Sequence, residues 1–473
     1  MSSQKLQDKL RLYFPFKPTS KQEQIITEIS EFISTIGNRS IFILKGYAGT
    51  GKTTLISTLV KSLPVLGKHS VLMAPTGRAA KVLSKYSRKS ASTIHKKIYW
   101  IKTNKSGNTF IKLKENTHNN TIFIVDEASM IPEHTEKSFG NRSLLDDLIE
   151  YVYDGYDCKL ILIGDTAQLP PVHLEISPAL DTEKIERNYN KQVICKELTK
   201  VVRQKENSLI LKNATDLRNK ITNADYSFPK LATNSEVIRI NNGEDLQEAI
   251  ESSYGNEGVN NTTILCRSNK RANLYNQQIR TKIRWQEDEI SAGDILMAVR
   301  NNYHWLDNKS KAGFIANGDI IKVLSVKEKI ERYGFRFAST SVQMIDYPKE
   351  PPIDVILLLD TLSSESPAMT YEQYQQLYKE ISLDYKGEKE INKKIKQNKF
   401  FNALQIKFAY AITCHKSQGG QWQNVFIDLG YFKEEMLNKS YLRWIYTALT
   451  RATKKLYLIN FNEKFFIKPH QNL

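Results

Sequence analysis

Residues 46–54 read Gly-Tyr-Ala-Gly-Thr-Gly-Lys-Thr-Thr, a spacing of residue types suited to holding a chain of phosphates. Gly46, Gly49 and Gly51 permit a tight loop, so backbone N–H groups, that of Thr50 among them, can converge on the anion. Lys52 would reach the β- and γ-phosphates, the Thr53 hydroxyl would hold Mg²⁺, and Thr54 would follow in the first helical turn. Without its surroundings such a run is only a glycine-rich turn. Here the apolar Ile41-Phe42-Ile43-Leu44 precedes it, as a buried parallel strand should, and Leu55–Val60 can continue a helix. The ligand implied is a nucleoside triphosphate with Mg²⁺.

Two more apolar runs end in polar residues. Thr121–Val125 leads to Asp126-Glu127, and Leu160–Ile163 leads to Gly164-Asp165-Thr166-Ala167-Gln168. A carboxylate at the C-terminal end of a parallel strand points into the ligand crevice of an open α/β sheet. Asp126 can hold Mg²⁺, Glu127 can take a proton from an attacking water, and the Gln168 amide can sense a γ-phosphate. Alone, each would be a solvated turn. Downstream of the phosphate loop, three such strands describe one nucleotide-binding core.

The 473 residues allow two to four compact units. A net charge of +17 favours a polyanionic partner, although charge does not separate DNA from RNA. Apolar runs such as Val355–Leu359 are strand-length, the first residues lack an apolar signal core, and Cys158, Cys195, Cys266 and Cys414 form no Cys-x-x-Cys pair. Neither a membrane, secretion, a zinc site nor a disulfide framework is expected.

Together the motifs resemble superfamily 1 helicases: motif I at 46–54, motif Ia at 74–80, motif II at 126–129 and motif III at 164–171. Ser92-Thr93-Ile94-His95 is similar to the family's next DNA-contacting motif. Thr19-Ser20-Lys21-Gln22 resembles the adenine-reading Q motif, with Gln22 preferred and Gln24 close enough to compete. Glu197–Gln204 resembles motif IV, which makes Arg203 a phosphate contact. Residues 409–419 resemble motif V, and Tyr446–Ala452 resembles motif VI, which makes Arg451 a finger on the γ-phosphate. The His-Lys-Ser-Gln-Gly phrase and the short interval between motifs Ia and II are closest to the RecD/Dda branch, superfamily 1B. Many relatives carry Ser-Glu after the motif V glycine to reach the ribose. This chain has Gly420-Gln421, and the Gln421 amide can still bond a sugar hydroxyl.

The resemblance implies an α/β fold of two RecA-like P-loop lobes. Lobe 1A would take residues 1–95 and 119–195, and lobe 2A residues 196–300 and 405–473. Between them come a hairpin (1B) over 96–118 and domain 2B over 301–404, a small SH3-like barrel with a helical addition. The hairpin is also legible locally: two β-rich runs, 98–102 and 109–113, flank the polar loop Asn104–Asn108. In this branch it serves as the strand-separating pin, with Trp100 and Phe110 as stacking candidates or simply as packing. Residues 370–398 read as charged helix, with Tyr374, Leu377, Tyr378 and Ile381 on one face. The lysines from Lys389 to Lys399 lie along DNA or form a solvated face. The expected activity is an ATP-dependent DNA helicase moving 5′→3′, with ATP and Mg²⁺ as cofactors. Lys52, Glu127, Gln168, Arg203 and Arg451 would be catalytic. Thr76, His95, Thr413, His415 and Lys416 would contact single-stranded DNA. Partners would be single strands, single-/double-strand junctions and single-strand-binding or repair proteins, for a monomeric motor in nucleoid-associated cytoplasm. An RNA-stimulated motor, or a subunit that only binds DNA, is the alternative.

Overall fold

A computed structural model describes residues 2–37, 40–103, 109–133, 142–201, 208–306, 310–388 and 390–467, with the side chains of 101–111 outside that description. The first lobe is built on strands β1 (Ser40–Gly46), β2 (His69–Ala74) and β3 (Ala91–Thr93), which precede the hairpin β4 (Tyr99–Thr103) and β5 (Thr109–Leu113). Then come β6 (Thr121–Val125), β7 (Lys159–Gly164) and β8 (Gln192–Leu198). The six strands outside the hairpin form one parallel sheet in the order β3-β2-β6-β7-β1-β8. Its strands are apolar on both faces because both are covered. Phe42 and Leu44 face helices Ser2–Tyr13, Ser20–Ser34, Lys52–Ser62 and Gly77–Ser87, while Ile41 and Ile43 face helices Leu144–Asp154 and Thr182–Tyr189.

β8 pairs in register with β1 from Ser40↔Gln192 to Gly46↔Leu198. The boundary expected between residues 195 and 196 therefore falls inside a strand of the first lobe, and Glu197-Leu198 belong to that lobe. The hairpin register runs from Tyr99↔Leu113 to Thr103↔Thr109.

The second lobe carries β9 (Val237–Ile240) and β10 (Thr262–Cys266). The chain then departs into a closed barrel of β11 (Ile295–Ala298), β12 (Ile320–Arg332), β13 (Phe335–Met344), β14 (Ile353–Leu358) and β15 (Leu404–Phe408). The barrel begins and ends outside the expected 301–404, because its first and last strands pair with each other, Leu296↔Phe408. Between β14 and β15, helices Tyr371–Leu383 and Ile391–Gln397 seal the barrel with Leu377, Ile381 and Ile395 against Phe335 and Phe337. Tyr374 and Tyr378 turn their rings to Phe401. Lys393 pairs with Glu390 and Lys394 with Glu388, so these lysines are balanced within their own segment. The chain returns through β16 (Ala411–Thr413), β17 (Trp422–Asp428) and β18 (Ala452–Ile459), completing a parallel sheet ordered β16-β10-β17-β18-β9. Among the described residues the four cysteines are free, and no helix is long and apolar enough to cross a membrane.

Candidate nucleotide and nucleic-acid sites

β1 delivers the phosphate loop. Gly49 and Gly51 have φ of +78° and +93°, which a side chain would strain. A Cβ on Gly49 would also stand 3.2 Å from Val201 and 3.3 Å from Leu211 of helix Leu209–Thr222. The Lys52 ammonium curls over its own loop, donating to Gly46 O at 2.5 Å and Tyr47 O at 2.9 Å. A phosphate chain would compete for those protons. Gln22 closes a capping box with Thr19 and donates to Thr50 O at 3.3 Å. Gln24 instead donates to Glu28 along the exposed side of its helix, so Gln22 is the glutamine that meets the loop.

β6 ends at Asp126, whose Oδ1 accepts the Glu127 N–H at 2.9 Å and whose Oδ2 accepts the hydroxyl of Tyr86. Glu127 holds φ +54°, a left-handed conformation that is costly for this residue and recurrent at functional sites. Burial raises the pKa of both carboxyls. Lys52 opposes the rise at both, and Arg451 opposes it at Glu127. Burial and then Asp126 raise the Tyr86 phenol, which therefore stays a proton donor. Carboxylate oxygens accept more than one bond, and the Thr53 hydroxyl is exposed in a cleft that Tyr86, the partner of Asp126, also lines. That hard-oxygen pair fits Mg²⁺.

β7 ends at Asp165, which accepts the Ala167 N–H at 2.9 Å. Gln168 is buried, and its side-chain oxygen meets no partner among the described residues. Across from it, helix Lys439–Leu449 of the second lobe contributes Tyr446 and Thr447. Thr447 accepts the Leu169 N–H at 2.8 Å, and Gln418 donates to Leu169 O at 2.6 Å. Arg451 is buried and directed at Thr447 O, Thr450 and Gly420 O. A cleft of 890 Å³ runs between the lobes, with Gln22, Lys52, Thr53, Thr54 and Tyr86 on one wall and Gln421 on the other. Arg203 lies outside the described residues.

A second cleft, of 380 Å³, brings together Thr76, His95, His415 and Lys416 with the barrel residues Phe314 and Asn317. Thr76 caps helix Gly77–Ser87, accepting the Ala79 N–H at 3.2 Å. Burial holds the His95 pKa at about 4, so near neutral pH this ring can bond or stack but not act as a cation. Burial also lowers His415, and it lowers Lys416 to about 8. Thr413 sits just before the short turn Cys414–Ser417 and does not line the cleft. Trp100 is 55% exposed with the Lys114 ammonium 4.8 Å from its ring centre. The Phe110 side chain and the loop 104–108 lie outside the description.

Three participants were not singled out by the sequence reading. Tyr86, Tyr446 and the Arg78–Trp422 stack (3.7 Å to the ring centre) all join elements distant in the chain. Arg78 and Tyr446 at least fall within motif-like runs, whereas Tyr86 carries no such signal.

Residues 20–240 match the AAA domain family, and residues 408–459 match the UvrD-like helicase C-terminal domain. An uncharacterized protein of Acanthamoeba polyphaga mimivirus, R530, is 25% identical over 92% of this chain and 98% of its own length. The ATP-dependent DNA helicase dda of Enterobacteria phage T4 is 26% identical over 60% of this chain, which spans 62% of the phage protein. A crystal structure of Pif1 helicase from Bacteroides, in complex with ADP-AlF3 and single-stranded DNA, superposes with a TM-score of 0.48 at 17% identity, covering 96% of this chain and 95% of that one. With a phosphate-loop lobe, a helicase-type C-terminal lobe and the motifs running in this order, the chain is similar to superfamily 1B helicases of the RecD/Dda kind.

Proposed function

We propose that the protein is an ATP-dependent DNA helicase that moves 5′→3′ along a single strand. One observation carries the reading: the 890 Å³ interlobe cleft holds the phosphate-loop residues, and the 380 Å³ cleft, lined from the same two lobes, holds Thr76, His95, His415 and Lys416. ATP enters the first cleft with its adenine toward Gln22. Lys52 leaves its loop carbonyls for the phosphates. Glu127 takes the proton of the attacking water, for which its raised pKa suits it. Thr53 and Asp126 would hold Mg²⁺, which would supply charge neutralisation at the phosphates. Arg451 turns from its own lobe toward the γ-phosphate, a contribution typically of about 10³–10⁵ in rate. Closing and reopening of the lobes then ratchets the strand in the second cleft. The hairpin divides the duplex at the fork.

The test uses wild type and Lys52→Ala. Single-stranded DNA should stimulate ATP hydrolysis by the wild type, the variant should bind DNA but not turn over, and only a 5′-tailed duplex should be unwound. Preference for a 3′ tail would overturn the polarity. Stimulation by RNA but not by DNA would replace the substrate.

A further inference from the structure

Helix Gly77–Ser87 of the first lobe reaches both clefts, the second lobe and the barrel. At its start, Thr76 and Arg78 line the nucleic-acid cleft. Arg78 stacks on Trp422 of the second lobe, and a Cβ on Gly419 would lie 2.7 Å from the Ala79 Cβ. In its middle, Lys81 pairs with Asp346 beside the barrel at 2.7 Å. At its end, Tyr86 lines the nucleotide cleft and donates to Asp126 Oδ2. Thr76 and Tyr86 lie ten positions apart along the helix, about 15 Å of stiff rod. A shift at one end is therefore delivered to the other.

The Asp126 carboxylate is clamped from two sides. The peptide of Glu127 fixes Oδ1 and belongs to the same strand end, so it cannot report on anything distant. The Tyr86 hydroxyl fixes Oδ2 and comes from the helix that begins at the nucleic-acid cleft. We propose that Tyr86 is a positioning residue that transmits occupancy of the nucleic-acid cleft to the metal-holding carboxylate Asp126, tuning how tightly Mg²⁺-nucleotide is held when a strand is bound. The inference rests on the helicase reading and adds to it a specific route between the two sites.

The experiment titrates MgCl₂ against binding of fluorescent mant-ADP to the full chain, with and without an oligo-dT strand, for wild type and Tyr86→Phe. Phenylalanine keeps the ring and removes only the hydroxyl. In the wild type, oligo-dT should shift the half-saturating Mg²⁺ concentration by roughly fivefold or more. In Tyr86→Phe that shift should collapse, while mant-ADP affinity in EDTA and oligo-dT affinity stay within about twofold of wild type. DNA-stimulated ATP turnover should fall about fivefold at sub-saturating Mg²⁺ and recover at saturating Mg²⁺, the pattern of altered Mg²⁺-nucleotide holding rather than lost packing. A full shift in Tyr86→Phe overturns the proposal, as does a parallel loss of EDTA-state or oligo-dT affinity, which would make Tyr86 a packing residue. A wild type that hydrolyses ATP on DNA but shows no shift also overturns it and leaves the helicase reading standing. A wild type that neither binds oligo-dT nor hydrolyses ATP removes the helicase reading as well.

Discussion

The Tyr446 hydroxyl donates to Asp165 Oδ2 at 2.8 Å. The same oxygen accepts the Ala48 N–H of the phosphate loop at 3.0 Å. One buried atom of the second lobe thus ties together two elements of the first, at the seam that nucleotide hydrolysis must open and close. Burial holds the phenol protonated.

Tyr446→Phe removes a donor and an acceptor at once. Each polar group left unpaired there costs about 1–3 kcal/mol. ATPase kcat should fall about tenfold or more, because about 1.4 kcal/mol is a factor of ten. Anisotropy with labelled oligo-dT should show unchanged strand affinity. Wild-type turnover in the variant would mean that the tie does not matter to the closed state.

Glu127→Gln keeps the side-chain shape and leaves the Asp126 carboxylate in place. Mant-ATP should still bind with Mg²⁺, and single-turnover hydrolysis should drop by about 10²–10⁴. An unaffected rate would take the proton-accepting role from Glu127.

Strand binding should weaken as pH rises through about 8, the value to which burial lowers Lys416. Below it the ammonium is charged and meets a phosphate; above it the amine is neutral. A bound phosphate favours the charged form, so binding takes up a proton and affinity must fall with increasing pH. His95 and His415, both lowered, are neutral throughout this window. Lys407 is also lowered to about 8, but it is buried against the carbonyls of Thr361 and Ser364. Lys416→Met should flatten the profile between pH 7 and 9, roughly two units spanning the transition. Lys416→Arg should hold its affinity across that range. A slope that survives Lys416→Met would assign the titration elsewhere.

Trp100 stands out from β4 with the Lys114 ammonium against its ring. Trp100→Ala should lower unwinding of a 5′-tailed duplex several-fold, on the scale of about 1–3 kcal/mol per base–aromatic stack. ATP turnover on single strands should be spared, since movement along one strand does not need the hairpin. Equal loss of both activities would make Trp100 a support for the first lobe.

The parts legible in the sequence were those whose signal is local. The phosphate loop announces itself through glycines whose positive φ the fold uses, and Asp126 through a run of four apolar residues that ends in charge. The hairpin followed from two β-rich runs either side of a polar loop. What escaped was set by long-range contact. Glu197–Gln204 reads as a motif of the second lobe, and nothing in Gln192–Leu198 says which sheet that segment joins. β1 decides that by offering an open edge. A tyrosine ten residues into an ordinary amphipathic helix looks like any other, and Tyr86 acquires meaning only where the helix end meets β6. Gln22 and Gln24 are equivalent by composition, and helix phase separates them, turning one to the loop and the other to Glu28.

The barrel interrupts the second lobe between β10 and β16, yet the strands by which the chain enters and leaves it are ladder neighbours, Leu296 opposite Phe408. The lobe thus meets the whole excursion as a junction one strand spacing wide, whatever lies beyond it. Closure entropy grows only slowly with the length of what is enclosed, so the addition burdens the lobe little. With its strands closed into a ring, the barrel also offers no open edge to a stray partner. Such a module can be lengthened, trimmed or exchanged while the engine beneath it keeps its form. The barrel is therefore free to diversify at a pace the nucleotide site cannot follow.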